Sequence, residues 1–294
     1  MRKKNITAIC VGLPIFLILA ISIMMHASWI NEFDNFFEQL VHTIPGLKGL
    51  MLNITFLADT KVDLVWMLLI AIILWIEKRR PLSLSIVVSL ITADAFGWIV
   101  KHIVQRARPA AHLAVDDGFS FPSGHTLGMS IIVFWLMLIL IPALVKNRTT
   151  RVWLNVLLVV WLVLVMISRV YLYAHFPSDV CGSVALGAMW IGIVDAIWDK
   201  VTPRTAKTLS SKKVTKENVL NGFSTPSNFF LSADALRDIL LSLFILGALI
   251  TRPAIILPNY LKNWKRFVLK NYTFDLVDFI KFILGLRSNF CLLF

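Results

Sequence analysis

Charge is scarce in this chain. Only 16% of its 294 residues are Asp, Glu, Lys or Arg, and 58% are hydrophobic. Soluble domains carry about 25% charged and roughly 45–50% apolar residues. The shortage excludes an ordinary water-soluble domain, as does a mean hydropathy of +0.78. Cysteine is scarce too: Cys10, Cys181 and Cys291 lie far apart, with no CxxC pair. That spacing argues against a disulfide framework or a zinc site, and the three read as small apolar fillers. No useful internal repeat is present. The net charge is +12. In a soluble protein it would point to nucleic acid. Here the basic residues sit in short loops between apolar runs, so membrane topology explains them and no nucleic-acid partner is expected.

What is present is a series of long apolar runs. A helix needs about 20 apolar residues to cross a bilayer. Candidate spans are Ile6–Met25, Lys61–Ile76, Leu82–Val104, Thr126–Val145, Val152–Val170 and Asp179–Trp198. The second is short, between Asp63 and Glu77, and is expected to tilt less. The first outlasts the roughly 7–15 apolar residues of a signal peptide and reads as a retained helix. Basic residues flank alternate loops: Arg2, Lys3 and Lys4; Lys78, Arg79 and Arg80; Lys146, Arg148 and Arg151; and Lys200, Arg204, Lys207, Lys212, Lys213 and Lys216. The loop from His26 to Thr60 instead holds Glu32, Asp34, Glu38 and Asp59 against Lys48. The positive-inside rule then places both ends in the cytoplasm, with the loops after spans one, three and five facing outward. In the first of these, Trp29, Phe33, Phe36, Phe37 and Leu40 recur at helical spacing, as an interfacial helix requires.

The expected fold is all-α. It is an integral membrane bundle of six transmembrane helices over residues 1–200, with an interfacial helix in the first outer loop. Residues 201–228 are rich in Ser, Thr, Lys and Asn and read as a flexible linker. Residues 229–294 read as a helical, membrane-associated tail. Its run Ile239–Thr251 is short for a span, and crossing there would put Lys262, Lys265, Arg266 and Lys270 outside.

Polar residues gather at one predicted end of this bundle. Lys101 and Arg108-Pro109 end span three, Pro122-Ser123-Gly124-His125 opens span four, and Ser168-Arg169 ends span five. His175 follows Arg169 by six residues and precedes Asp179 by four. Cations close to hydrocarbon are costly and point to function. Lys101, Arg108 and Arg169 together call for an anion. Pro109 pushes Arg108 to an extended backbone and ends the helix. Ser123 offers a hydroxyl, Gly124 a close backbone approach, and the start of span four free N–H groups and a positive dipole end. These are the parts of a phosphate cradle. A carboxylate at Asp179 can fix the tautomer of His175 and leave its other nitrogen free to attack. His125, beside cations that help discharge it, suits a general acid.

The order K-x6-RP (Lys101 to Pro109), PSGH (Pro122 to His125) and SR-x5-H-x3-D (Ser168 to Asp179) resembles the type 2 phosphatidic acid phosphatase superfamily, which is itself similar to vanadium haloperoxidases and bacterial acid phosphatases. The resemblance covers roughly residues 1–200, and "NITFLADTKVD" (Asn53 to Asp63) is a weaker echo of bacterial members. It implies a six-helix core and catalysis without metal or other cofactor. By it, His175 attacks phosphorus to give a phosphohistidine, Asp179 orients it, and His125 protonates the leaving oxygen and then helps activate water. Lys101, Arg108, Ser123, Gly124 and Arg169 hold the phosphate oxygens. The expected substrate is a lipid phosphate or diphosphate taken from the membrane at its outer face. Undecaprenyl diphosphate comes first, with phosphatidylglycerophosphate or phosphatidate as alternatives. A haloperoxidase-like oxidoreductase and a non-catalytic lipid-binding protein are the rival readings. Asp94, Asp195 and the pair Asp116-Asp117 read as structural or solvated.

Overall fold

The computed structural model describes residues 3–110 and 118–201. The expected linker, the expected tail, Asp116-Asp117 and Cys291 lie outside the described residues; Val201 closes the last helix. Every regular element among the described residues is helical. In chain order these are α1 (Lys3–Met24), α2 (Ser28–His42), α3 (Lys48–Leu57), α4 (Thr60–Ile76), α5 (Arg80–Val104) and α6 (Gly124–Trp135). A π-helical turn (Leu136–Leu140) runs α6 into α7 (Ile141–Leu144), and α8 (Arg148–Tyr171) and α9 (Pro177–Val201) follow.

Local chemistry sets the boundaries. Asp59 caps α4 by accepting from the Lys61 N–H at 2.9 Å. Asn147 caps α8, accepting from Thr149 N and Thr150 N. Such caps satisfy N–H groups that a helix start leaves open. Pro81 sits in the first turn of α5, where its missing N–H costs nothing. At the other end of α5 the chain turns through Gln105, at φ 51°. That left-handed turn stops the helix and throws Arg106 to Pro109 out across the end of the bundle.

Among the described residues, five helical segments are long and apolar enough to cross a membrane: α1, α5, Gly124–Leu144 (α6 through α7), α8 and α9. The second expected span is observed as α4, 17 residues long. At ~1.5 Å per residue that is about 26 Å, short of the roughly 30 Å hydrocarbon core. Leu, Val, Ile and Trp side chains face outward along α1, α4, α5 and α8. A soluble fold would bury such a surface.

The core is built around α6, which packs against α4, α5, α8 and α9. α1 lies along α9. Gly12 makes that approach possible: a Cβ there would stand 2.5 Å from the Ala185 carbonyl oxygen. Small residues at such crossings let backbones meet where lipid offers no hydrophobic drive. Polar groups inside the bundle mostly bond one another. Trp135 Nε1 donates to Ser85 Oγ at 3.1 Å, and Trp190 Nε1 to Thr92 Oγ1 at 2.9 Å. Asp63 is the exception on α4, fully buried against Gly128 with neither carboxylate oxygen hydrogen-bonded.

α2 is fixed from both ends of its inner face. His42 stacks between Tyr171 and Tyr173, with Nε2 3.1 Å from the Tyr171 carbonyl oxygen. Asp34 is buried, whereas Trp29, Phe36, Phe37 and Leu40 are exposed.

Candidate active site

Motif residues from the segment after α5, the end of α8 and the start of α9 meet around His175, and Ser120, shortly before α6, joins them. The corner between α8 and α9 places the central pair. Ala174 N and His175 N both donate to the Arg169 carbonyl oxygen, folding the chain back at the end of α8. Pro177 opens α9, and Asp179, two residues into it, accepts from the Phe176 N–H at 2.9 Å. This is half of a capping box, so the helix start itself aims the carboxylate.

His175 and Asp179 are both buried. Asp179 Oδ2 lies 3.7 Å from His175 Nδ1. Ser120 sits between them: its Oγ donates to Asp179 Oδ2 and lies 3.4 Å from His175 Nδ1. On the far side of the ring, Arg108 Nη1 is 3.2 Å from Nε2. A guanidinium only donates. Nε2 therefore presents its lone pair to Arg108, and the ring proton lies on Nδ1, facing Ser120 and Asp179. Burial lowers the His175 pKa, with Arg108 and Arg169 adding to the shift and Asp179 opposing it, to about 4. The ring is neutral at pH 7. A buried neutral imidazole with one oriented proton and one lone pair beside cations is equipped to attack an electrophile that is itself anionic.

The expected anion ligands are held in different ways. Arg108 also donates to the Gly118 and Ala174 carbonyl oxygens, each at 2.9 Å. Lys101 Nζ donates to the Phe119 carbonyl oxygen at 2.9 Å. Arg169 is fully buried, close enough to shift His175. Ser123 caps α6: its Oγ accepts from the Thr126 backbone N–H at 3.5 Å and from Thr126 Oγ1 at 3.2 Å. Gly124 is the first residue of α6 and His125 the second. The chain enters this helix through a cis Phe121–Pro122 bond. Phe121 is buried against α9, where a Cβ on Gly182 would run into its ring. Among the described residues, no three His, Cys, Asp or Glu side chains gather as a metal ion would require.

Four neighbours were not foreseen from the sequence. Asp59 Oδ2 lies 3.3 Å from His125 Nε2, an ion pair whenever that ring carries its second proton. Ser120 links His175 to Asp179, as above. Arg106 donates to Asp179 Oδ1 and to Asp34 Oδ2, both at 2.6 Å. Asp34 also accepts from Ser178 N and Ser178 Oγ, at 2.7 and 2.8 Å. Burial pushes the Asp34 carboxyl up, against the pull of Arg106 and Ser178. Burial opposes the charge of Arg106, but Asp179 and Asp34 together outweigh it and raise its pKa. Two signals were available: Arg106 repeats the basic character of "RARP", and Asp59 stands in the "NITFLADTKVD" segment.

With this geometry in view, residues 82–203 match the PAP2 superfamily model. Over this segment the chain is similar to the PAP2 superfamily. Curated PAP2 relatives include an undecaprenyl-diphosphatase of Sulfolobus acidocaldarius, 28% identical over 167 residues, covering 54% of this chain and 74% of that protein. Phosphatidylglycerophosphatase B of Bacillus subtilis is 28% identical over 192 residues, covering 63% of this chain and 92% of the relative. The crystal structure of a transmembrane PAP2-type phosphatidylglycerolphosphate phosphatase from Bacillus subtilis superposes with a TM-score of 0.55 at 25% identity. It aligns over its whole length, against 69% of this chain.

Proposed function

We propose that this protein hydrolyses a lipid phosphate or diphosphate through a phosphohistidine, with undecaprenyl diphosphate the first choice of substrate. The observation that carries the reading is the His175 ring, neutral at pH 7, with its Nε2 lone pair beside Arg108 and its Nδ1 toward Ser120 and Asp179. The names of the relatives support the substrate class. Phosphatidylglycerophosphate and phosphatidate are the alternatives.

Nε2 of His175 attacks phosphorus and the P–O bond to the leaving group breaks. His125 gives its proton to the departing oxygen. Loss of the ring's second proton leaves His125 able to take one from water. The water oxygen then attacks phosphorus, the P–N bond breaks, and orthophosphate leaves with His175 neutral again. Asp179 and Ser120 hold the Nδ1 proton and stabilise the positive charge on the ring. Lys101, Arg108, Arg169, Ser123 and the N–H groups of Gly124 and the first turn of α6 bind the phosphoryl oxygens as charge shifts among them. No step needs a metal ion.

We place six spans in the bilayer, α4 being the short one, with both ends of residues 1–200 in the cytoplasm and the site facing outward. α2 lies in the interface, its exposed Trp29, Phe36, Phe37 and Leu40 toward lipid. A head group then reaches the site from the membrane surface while its tail stays in the bilayer.

The test is phosphate release by the detergent-solubilised protein from undecaprenyl diphosphate, phosphatidylglycerophosphate and phosphatidate, with chelator present. His175→Ala should be inactive, and full activity in that variant overturns the mechanism. Activity lost to chelator and restored by Mg2+ overturns metal independence. For sidedness, Asn35→Cys should react with an impermeant thiol reagent on intact cells and Arg148→Cys should not, in a background lacking the native cysteines.

A further inference from the structure

Arg106 belongs to none of the phosphate-holding positions, yet it is bonded directly to the carboxylate behind the nucleophile. Its Nη1 donates to Asp179 Oδ1 at 2.6 Å and to Ser178 Oγ at 2.7 Å, while Nη2 donates to Asp34 Oδ2 at 2.6 Å. The Phe176 ring covers the guanidinium, 4.1 Å from Cζ. Side-chain exposure is 13% for Arg106, 3% for Asp34 and 0% for Asp179, so these bonds lie largely out of bulk water. Ser178 closes a ring, giving its N–H and O–H to Asp34 while accepting from Arg106.

The consequence falls on Asp179. With Oδ1 taken by Arg106, the carboxylate plane is fixed, and Oδ2 is left for Phe176 N, Ser120 and the His175 side. The anchor is not on α9 but on α2, 72 residues before Arg106. We propose that Arg106 and Asp34 are positioning residues for the nucleophile: Asp34 on α2 holds the Arg106 guanidinium, and Arg106 holds Asp179 with Oδ2 turned to the His175 ring. This rests on His175 being the nucleophile.

The charged groups around that ring are Asp179 from α9, Arg108 from the segment after α5, and Arg169 from α8; Arg106 and Asp34 stand behind Asp179. Removing the Arg106 cation makes His175 easier to protonate. Removing the Asp34 anion makes it harder. The two substitutions should therefore move the acid limb of kcat/KM in opposite directions, which mere loss of folded protein cannot do.

The full-length protein in detergent is assayed on whichever of the three lipids it turns over fastest. Arg106→Gln is expected to lower kcat about 10- to 100-fold, the range seen when groups that orient a primary ligand are removed. KM should stay within about threefold, and the acid limb should move to higher pH. Arg106→Lys should recover part of the loss, since an ammonium can serve one carboxylate well but not both. Asp34→Asn should lower kcat roughly tenfold, with the limb moved to lower pH. Wild-type kcat and an unmoved limb in these variants, or shifts of the same sign, overturn the proposal. If Arg106→Gln does not purify as a single species, Arg106→Met, which also removes the cation, and Asp34→Asn carry the same test. An active His175→Ala instead removes the mechanism on which the proposal rests, whereas an inactive one beside unaffected Arg106 and Asp34 variants removes this proposal alone.

Discussion

Replacing Asp179 by Asn keeps the shape of the side chain and removes one acceptor, which makes it the sharpest probe of the site. The two carboxylate oxygens are committed to different donors. Oδ1 accepts from Arg106, and Oδ2 from Phe176 N and Ser120. An Asn amide has one acceptor and one donor. If its oxygen takes the Oδ2 place, its NH2 confronts Arg106. If it takes the Oδ1 place, the NH2 confronts the Phe176 N–H. Ser120 must then turn, its hydroxyl proton points at His175 Nδ1, and the ring is driven to the tautomer with hydrogen on Nε2, the atom that attacks in the proposed mechanism. Either way a buried donor is left facing a donor, at about 1–3 kcal/mol. The wrong tautomer adds to that. The corresponding change in a Ser-His-Asp triad costs about 10⁴ in kcat. We expect Asp179→Asn to lower kcat by about 10³- to 10⁴-fold, or ~4–5.5 kcal/mol of barrier, with KM within about threefold. The assay is phosphate release over a long time course, with acid-labile phosphoprotein trapped at short times to read the first step alone. A variant within tenfold of wild type would refute the argument that the carboxylate sets the tautomer.

Other consequences follow from the same contacts. The His175 pKa lies at about 4, below the ordinary ~6.5, so the neutral ring persists down to that pH. A histidine NMR titration should place it there, and a midpoint near 6.5 would contradict the burial argument. The sign for stability follows: the unfolded chain takes up this proton as pH falls through about 6.5 and the folded chain does not until about 4, so this group's contribution declines across that window. Asp59→Asn should lower kcat roughly three- to tenfold by removing the partner of His125, with little change in melting temperature. Gly12→Val should destabilise the α1–α9 contact by about 1–3 kcal/mol, the usual cost of overpacking, read as a lower melting temperature in detergent with kcat of the surviving protein intact. Asn147→Ala removes a helix cap and should cost about 1 kcal/mol, far from the site.

The parts of this fold that could be read from the sequence are those fixed by neighbours along the chain. Apolar run length located the helices, and the third expected span, Leu82–Val104, ends where α5 ends. The helix starts at Gly124 and Pro177 follow from local cap chemistry, and they bring the motif residues to one end of the bundle. What escaped was set across the bundle. Asp34 has no charged partner within its own helix turn, and its bond to Arg106 spans 72 positions. Ser120 is one small polar residue among several, and only the chain reversal between α5 and α6 puts it on Asp179. The π-helical turn at Leu136–Leu140 lies inside an apolar run, where hydrophobicity is blind to one extra residue per turn.

The anchoring of Arg106 by α2 bears on how portable this chemistry is. The stretch that matches the family, residues 82–203, holds all three motifs. It does not hold Asp34 or Asp59, the carboxylates that sit on Arg106 and His125. Grafted alone onto another set of helices, that stretch would bring a surplus of cations and a guanidinium clamped on one side only. Every signature residue would be present, and the electrostatics would belong to a different site. In this chain the upstream helices thus complete the charge balance around Asp179 and His125, and a sequence search that scores the motifs alone ranks as equal proteins that differ in how firmly Asp179 is held.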